Sequence, residues 1–570
     1  MNPENEKNDA LKAEQEHKTA VESAADYVEN FDILETITNV GNDEVFTPRK
    51  TCNMMLDSLP EEVWHNPNYK WLNPASKNGV FEREIAIRLD EGLKDVIPND
   101  EERRKHILQK MIFSIGQTMF TANVARRTVY YCSQANRKCD GIKAPDGHYV
   151  NGYAIGNGTW FDDEEGNIKT PNAQHVFYRG EHHCHYCGIS DQSDYLDKNQ
   201  REKYAYEFIH YDDGNGNNAQ KFRQALSRRF FGGNSNMKFD IIIGNPPYQL
   251  SDGGAFASAT PIYQLFVERA KELNPKYLCM IVPSRWMTGG KGLDDFRKEM
   301  IADRHIRKLE DFEDGKECFP SNEIKGGVCF FLWSRDEEGK CEITSHKQKE
   351  GIHKSVRYLQ EDGADVFIRD ERLVAIFKKV MSAKITPFSK IVSPRKPYGL
   401  SGDFFKDPSK YGLPPISSKE IKGGFTIYGL DEHLKRVTRY IPRDYPIPKK
   451  ELLSGYKLFV PRNQGNGTFG ETFSEPILGC PDELCTETFV VFGPFSTEEE
   501  AKNCDAYFRT KFFRALLGIR KLDQNASQSV YEYVPLLDFH KTWTDDELFK
   551  RFGFSNDDIS FIKNNVQEMA

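Results

Sequence analysis

Lys238–Gln249 reads KFDIIIGNPPYQ, and the fold follows from this stretch. Phe239–Ile243 is a short apolar run rich in β-branched residues, which suits a strand buried on both faces of a parallel sheet. Gly244 ends it. Asn245-Pro246-Pro247-Tyr248 then forms a turn whose two prolines fix φ and remove two backbone donors, leaving rigid carbonyls. Ligands of open α/β sheets sit beyond the carboxyl ends of the strands, so chemistry is expected at this turn. The alternative is an ordinary strand followed by a Pro-rich turn, which leaves the agreement of strand, glycine and all four turn residues without a reason.

NPPY closely resembles the catalytic motif of the amino-group methyltransferases that use S-adenosylmethionine. The resemblance implies that the side-chain carbonyl of Asn245 and the carbonyl of Pro246 accept the two hydrogens of an exocyclic amine, with Pro247 completing the turn and Tyr248 stacking on a flipped base. The physical logic stands beside it. An adenine N6 is a poor nucleophile because its lone pair is delocalised into the ring, and two acceptors that pull it towards tetrahedral geometry expose that pair. An aromatic face suits a base taken out of its stack.

Upstream, EVFTP at Glu44–Pro48 resembles the family motif that covers the methionine end of the donor, which implies Phe46, Thr47 and Pro48 as donor contacts; Thr47-Pro48 also starts a helix. Tyr69–Ile87 (YKWLNPASKNGVFEREIAI) reads as a first strand, a tight turn and a helix. The family places an acid, Pro, a small residue and two alternating glycines there. Asn73-Pro74-Ala75 and Gly79 match, while Asn73 stands for the acid and Lys77 for the first glycine, so the lysine either closes the approach to the donor or swings its stem outward. Lys110–Gln117 reads as the second strand, with a helix over 118–129, and Tyr206–His210 as the third. Asp212, just after it, resembles the acid near the donor adenine.

Between these strands lies an insertion, 130–203, rich in Gly, Asn, Asp and His. A structureless loop of that length needs something to hold it. The candidate is zinc on Cys132, Cys139, Cys184 and Cys187, the last two in CHYC, because thiolates and imidazoles are its preferred ligands. Reduced, buried cysteines are the alternative.

Downstream, 251–260 (SDGGAFASAT) reads as a small-residue loop able to close over a substrate. Further strands are expected at Tyr277–Pro283, His305–Phe312 and Gly327–Trp333. The strands fit a seven-stranded methyltransferase sheet, and the donor motif preceding NPPY fits the γ arrangement. From about 340 the chain carries a helix near 370–382, two basic loops and a helix over Ala501–Leu517 with Arg509, Lys511 and Arg514 on its outer side. The loops, VSPRKPYGL at Val392–Leu400 and KLFVPRNQGNG at Lys457–Gly467, offer Arg395, Lys396, Arg462 and Asn463, with Tyr398 beside them, to phosphates and base edges. The closing segment from VYEYVPLLDF onward resembles the tail of the Eco57I-type adenine methyltransferases of restriction systems.

The expected architecture is α/β: a polar arm over 1–35, a Rossmann-like seven-stranded methyltransferase domain over 36–339 carrying the zinc-binding insertion, and an α+β target-recognition region over 340–570. Composition agrees with a globular protein, 38% hydrophobic and 12% aromatic. No apolar run approaches a membrane span, and the polar N-terminus does not read as a signal peptide, so a cytoplasmic location is expected. Twelve cysteines without a secretion signal argue against a disulfide framework. A net charge of −9 means that DNA contact must come from local basic patches. The resemblance implies a site-specific DNA adenine-N6 methyltransferase using S-adenosylmethionine on double-stranded DNA, with a separately encoded restriction or helicase subunit as partner. Methylation of RNA or of a protein glutamine, and a DNA-binding subunit with a decayed donor site, are the readings set against it.

Overall fold

A computed structural model describes residues 45–131, 165–177, 180, 182–184, 186, 205–210, 219–232, 238–249, 260–290, 292–347, 351–431, 433, 435–465, 467–521 and 524–569. The chain divides into two compact units. The first holds the described residues up to Ser284 with Lys291–Phe296 and Asp303–Tyr358, and the second holds Arg285–Gly290, Arg297–Ala302 and everything from Leu359.

The first unit is built on a nine-stranded sheet in the order β3-β2-β1-β4-β5-β7-β6-β8-β9. Its strands are β1 (Trp71–Ser76), β2 (Ile112–Gly116), β3 (Ile168–Lys169), β4 (Ile241–Gly244), β5 (Tyr277–Pro283), β6 (Ile306–Phe312), β7 (Val328–Ser334), β8 (Cys341–Lys347) and β9 (Gly351–Arg357). β1 to β5 run parallel, and β7 inserts antiparallel between β5 and β6. Every residue of β1 and of β4 is buried. Both faces of the sheet are therefore covered, which is why the IIIG run shows no polar alternation. On one face helix α2 (Val80–Gly92) lays Phe81, Ile85 and Leu89 against Ile241, Ile243, Cys279 and Phe330. Ahead of β1 comes α1 (Arg49–Asp57), with Pro48 as its N-cap residue. The unit also carries helices α3 (Met119–Arg126), α4 (Ala219–Phe231) and α5 (Tyr263–Glu272).

Three sequence expectations change here. The sheet has nine strands rather than seven, because β8 and β9 pair antiparallel along its far edge through seven residue partners. That hairpin carries the first unit to Tyr358 rather than 339. The third strand is the two-residue β3, paired with β2, and not Tyr206–His210. Tyr206–His210 is a turn, in which the Tyr206 carbonyl accepts the amides of Ile209 and His210, and its apolar residues serve packing instead: Phe208 stacks on Phe266 and meets Phe222 edge-on.

The second unit contains helix α6 (Glu371–Ser382), a sheet of β10 (Phe425–Leu430), β11 (Arg436–Ile441) and β14 (Glu483–Cys485), and a sheet of β12 (Tyr456–Pro461), β13 (Ile477–Gly479) and β15 (Phe489–Phe495). Its larger core gathers Phe388, Phe492, Tyr507, Phe513, Tyr531 and Phe539. The single helix expected over Ala501–Leu517 is two, α7 (Glu498–Arg509) and α8 (Lys511–Arg520). Thr510, extended at φ −60° and ψ 148°, ends one and caps the next by accepting the Phe513 amide. The break turns α8 so that Arg514, expected outside, is buried and donates to the carbonyls of Glu471 and Gln567.

Candidate active site at the carboxyl ends of β1 and β4

The strand order reverses between β1 and β4, since the chain proceeds from β1 outward to β3 and then returns to β1's other side. The crevice beyond such a switch point is where open α/β sheets bind ligands. A pocket of about 190 Å³ lies there, lined by Thr47, Asn73, Ala75, Lys77 to Glu82 and Asn245. Two glycines make the close approach feasible. A Cβ on Gly244 would come within 2.6 Å of the Asn73 Oδ1, and one on Gly79, whose φ is +78°, within 2.9 Å of the Ala125 backbone.

Asn245 is 2% exposed. Its Nδ2 donates to Thr47 Oγ1 at 3.1 Å, and its Oδ1 is buried with no hydrogen-bond partner. A buried amide carbonyl left unpaired costs of the order of 1–3 kcal/mol. Pro246 and Pro247 are buried beside it, and Tyr248 is half-buried. The Tyr248 ring meets Tyr263 and Phe319 edge-to-face at 6.5 and 6.3 Å, its hydroxyl is buried without a partner, and burial pushes the phenol well above its usual pKa. Asn245, the first residue of the motif, and Thr47, remote in sequence, thus meet at the pocket. Phe46 and Thr47 are buried and Pro48 is half-buried where the chain enters α1.

Asn73, in the place of the expected acid, bridges two elements: its Oδ1 accepts the Ala75 amide at 3.1 Å and its Nδ2 donates to Glu82 Oε1 at 2.9 Å. Lys77 does not swing outward. It is 6% exposed, lines the pocket and donates from Nζ to the Val45 carbonyl at 3.0 Å. Glu82, in the first turn of α2 and 1% exposed, was not anticipated from the sequence. Its Oε2 has no hydrogen-bond partner. Burial raises its carboxyl pKa, against the opposing effect of the Ser76 hydroxyl, its own backbone, and the Ser114 and Asn73 side chains. The two hydroxyls stand near enough to act electrostatically but outside hydrogen-bond geometry, since neither has a partner. Its position at the third residue of the helix that follows the donor turn was the available signal.

Other expected site residues are placed as follows. Asp212, the 251–259 loop, Cys132, Cys139 and Cys187 lie outside the described residues. Cys184 is described, buried and grouped with His175 and His210. In the second unit the two basic loops converge on Glu487. Arg395 Nε donates to Glu487 Oε2 at 2.7 Å, and the Arg462 pKa is lowered by burial and then by the neighbouring Arg395, against Glu487. Arg462 Nε is buried without a partner, and Asn463 is exposed. Lys396 is half-buried at φ +59°. Tyr398 is not available to bases: it is fully buried, its hydroxyl donating to the Leu452 and Glu483 carbonyls. Among the described residues no helix is long and apolar enough to cross a membrane.

The Eco57I restriction-modification methylase family model matches residues 110–319. An uncharacterized adenine-specific methylase of Mycoplasma pneumoniae is 44% identical over 352 residues, which is 60% of this chain and 79% of the relative. Among solved structures, one of a type I restriction-modification system aligns with 62% of this chain and 52% of its own at 11% identity and a TM-score of 0.29. A nuclease-deletion mutant of the Type ISP enzyme LlaGI with a DNA substrate mimic aligns with 84% and 45% at 12% identity and a TM-score of 0.46. The chain thus spans about half the length of these two solved chains. The matched segment 110–319 contains β2, β4 and the NPPY turn, and with a relative of this identity and coverage the chain belongs to the Eco57I restriction-modification methylases.

Proposed function

We propose that this chain is a site-specific DNA methyltransferase that transfers a methyl group from S-adenosylmethionine to the N6 of an adenine extruded from the duplex, as the modification component of a restriction system. The observation that carries this reading is the buried, unpartnered Oδ1 of Asn245, held in place through Nδ2 by Thr47. An acceptor kept dry and fixed gains little in the resting protein and much when an amine N–H arrives. Asn245 Oδ1 and the Pro246 carbonyl accept the two N6 hydrogens, drawing the nitrogen towards tetrahedral geometry and exposing its lone pair. Tyr248 offers its π-face to the base, worth ~1–3 kcal/mol.

The donor set fits S-adenosylmethionine, which supplies an activated methyl group. Glu82 brings a buried carboxylate for its positive charges, and Lys77 with the first-turn amides of α2 suits its carboxylate. The end of β1 and the bend over 77–79, with Gly79 at positive φ, let the backbone approach it, with Phe46, Thr47 and Pro48 assigned to the methionine end and Asp212, outside the described residues, to the adenine. In the second unit Arg395 pairs with Glu487 and lowers the Arg462 pKa by repulsion, which a phosphate would relieve; with Lys396 and Asn463 they are the DNA contacts of this reading. The relative's description as adenine-specific supports the choice of base. No observation favours RNA, protein glutamine or a decayed donor site.

Incubating the purified chain with duplex DNA and labelled S-adenosylmethionine, followed by nucleoside analysis and sequencing of methylated positions, tests the reading. N6-methyladenine within one sequence context is expected. Label in cytosine, or donor binding with no adenine product on any duplex, removes it.

A further inference from the structure

A second polar cluster lies away from the NPPY turn, within the first unit. The ligand atoms of His175, Cys184 and His210 all lie within 4.8 Å of one another. Cys184 is 2% and His210 3% exposed. The His210 ring meets the His175 ring edge-to-face at 4.8 Å, with Tyr186 and Tyr206 flanking it. His210 Nδ1 is 3.0 Å from the Tyr206 carbonyl, which can only accept, so Nδ1 carries the proton. The lone pair is then on Nε2, which is buried and has no hydrogen-bond partner. A backbone carbonyl fixing one ring nitrogen so that the other can coordinate is the arrangement of a metal-ligating histidine.

We propose that His175, Cys184 and His210 bind a zinc ion. One thiolate and two imidazoles suit a borderline-soft, tetrahedral ion and do not suit magnesium or calcium, which take oxygen ligands. Ligand atoms on a common tetrahedral zinc lie about 3–4 Å apart, so the observed grouping needs only a small closure. Binding releases the Cys184 thiol proton to solvent and leaves two neutral imidazoles, giving the site one net positive charge.

Zinc would tie together three positions of the 165–210 stretch, 175, 184 and 210. At its base the segment is fastened: Arg229 donates to the Thr170 carbonyl at 2.7 Å and pairs with Glu207, which accepts the Asn172 amide at 2.8 Å. Phe208 anchors the turn against Phe222 and Phe266. Beyond that base the described residues 171–177 are at least partly exposed, with no buried apolar side chain among them. A metal cross-link between positions 175, 184 and 210 would fasten these described residues beyond the base. The site differs from a knuckle of four cysteines in requiring both histidines.

Metal analysis of the full chain, purified without chelator, is expected to find about one zinc per chain. Cys184→Ser and His210→Ala should each lose it, whereas a four-cysteine knuckle would survive His210→Ala. Cobalt(II) loaded into the wild-type chain needs no variant to fold and should give the intense visible bands of a tetrahedral ion with a thiolate-to-cobalt band in the near ultraviolet. Asn245→Ala should keep the metal, which separates this site from the methyl-transfer reading. Weak octahedral cobalt bands, no zinc retained after loading and dialysis, or unchanged zinc in a folded His210→Ala chain overturns the proposal.

Discussion

In the proposed reaction Asn245 acts only while its amide is held from behind. Thr47 Oγ1 takes the Nδ2 hydrogen and so directs Oδ1 to where an amine would come. Asn245→Ala is expected to lower kcat by about 10²–10³-fold with donor affinity nearly unchanged, the scale of losing one preorganised acceptor. Thr47→Val should cost less, and should add little on top of Asn245→Ala because the two act through one contact. Tyr248→Phe removes an unpaired buried hydroxyl and keeps the ring, so single-turnover assays should find it active; Tyr248→Ala should lose capture of the target base. Glu82 behaves differently. Burial raises its pKa above the ordinary 4.5, so the donor-free protein becomes less stable as pH rises through that raised value and the carboxylate must be held charged. A cationic donor reverses the preference. Donor affinity should therefore increase with pH across the same range, and calorimetry should find Glu82→Gln both weaker and flat with pH, while its donor-free melting temperature at neutral pH rises. An unchanged affinity profile in Glu82→Gln takes the donor's positive charge away from this carboxylate.

At the scale of elements, the sequence is most legible where a single physical cause acts. β4 and the turn after it read directly, because burial on both faces, a breaker and two prolines each leave a local mark, and β1, β2, β5, β6 and β7 fall at the expected runs. Tyr206–His210 misleads because alternating apolar residues serve a packed turn as well as a strand. The α7–α8 break is hidden because Thr510 is a tolerable helix residue until its neighbours use it as a cap. The site was half legible: NPPY announces itself, whereas Glu82 and the convergence of the two basic loops depend on tertiary contacts. Lys457 in β12 shows the same limit. Read as one charge in a basic loop, it is fully buried, donates to the Leu453 and Glu483 carbonyls, and has its pKa lowered by burial to about 8. Below that pH folded and unfolded chains both carry the proton. Between about 8 and the ordinary 10.5 only the unfolded chain does, so stability should rise with pH, by up to about 3 kcal/mol. Urea unfolding of Lys457→Met should lack that rise relative to the wild-type chain, and an identical pH profile contradicts a neutralised lysine.

For the whole molecule, a net charge of −9 opposes a polyanion, so affinity for DNA has to be concentrated where a few cations gather. The second unit has such a place around Glu487, where Gly402 donates its amide to Oε1 and Arg395 its Nε to Oε2. Glu487 neutralises one of two guanidiniums, leaving Arg462 half-buried with its Nε unpaired. In the proposed reading a phosphate relieves this arrangement. Each phosphate contact contributes about 0.9 to the slope of log affinity against log salt. Arg395→Ala with Lys396→Ala should then weaken binding and flatten that slope by about 2, while leaving S-adenosylmethionine affinity intact because the donor pocket belongs to the first unit. Arg395→Lys keeps the charge and should recover most of the salt dependence, but it lacks the planar donor fork of arginine, so it should restore binding only in part. Arg462→Ala should lower affinity while raising the stability of the DNA-free protein, since it removes a half-buried cation whose Nε is unpaired. If the double variant binds duplex DNA with an unchanged slope from low to high salt, the phosphate contacts lie elsewhere in the chain, and Arg395 is a structural partner of Glu487.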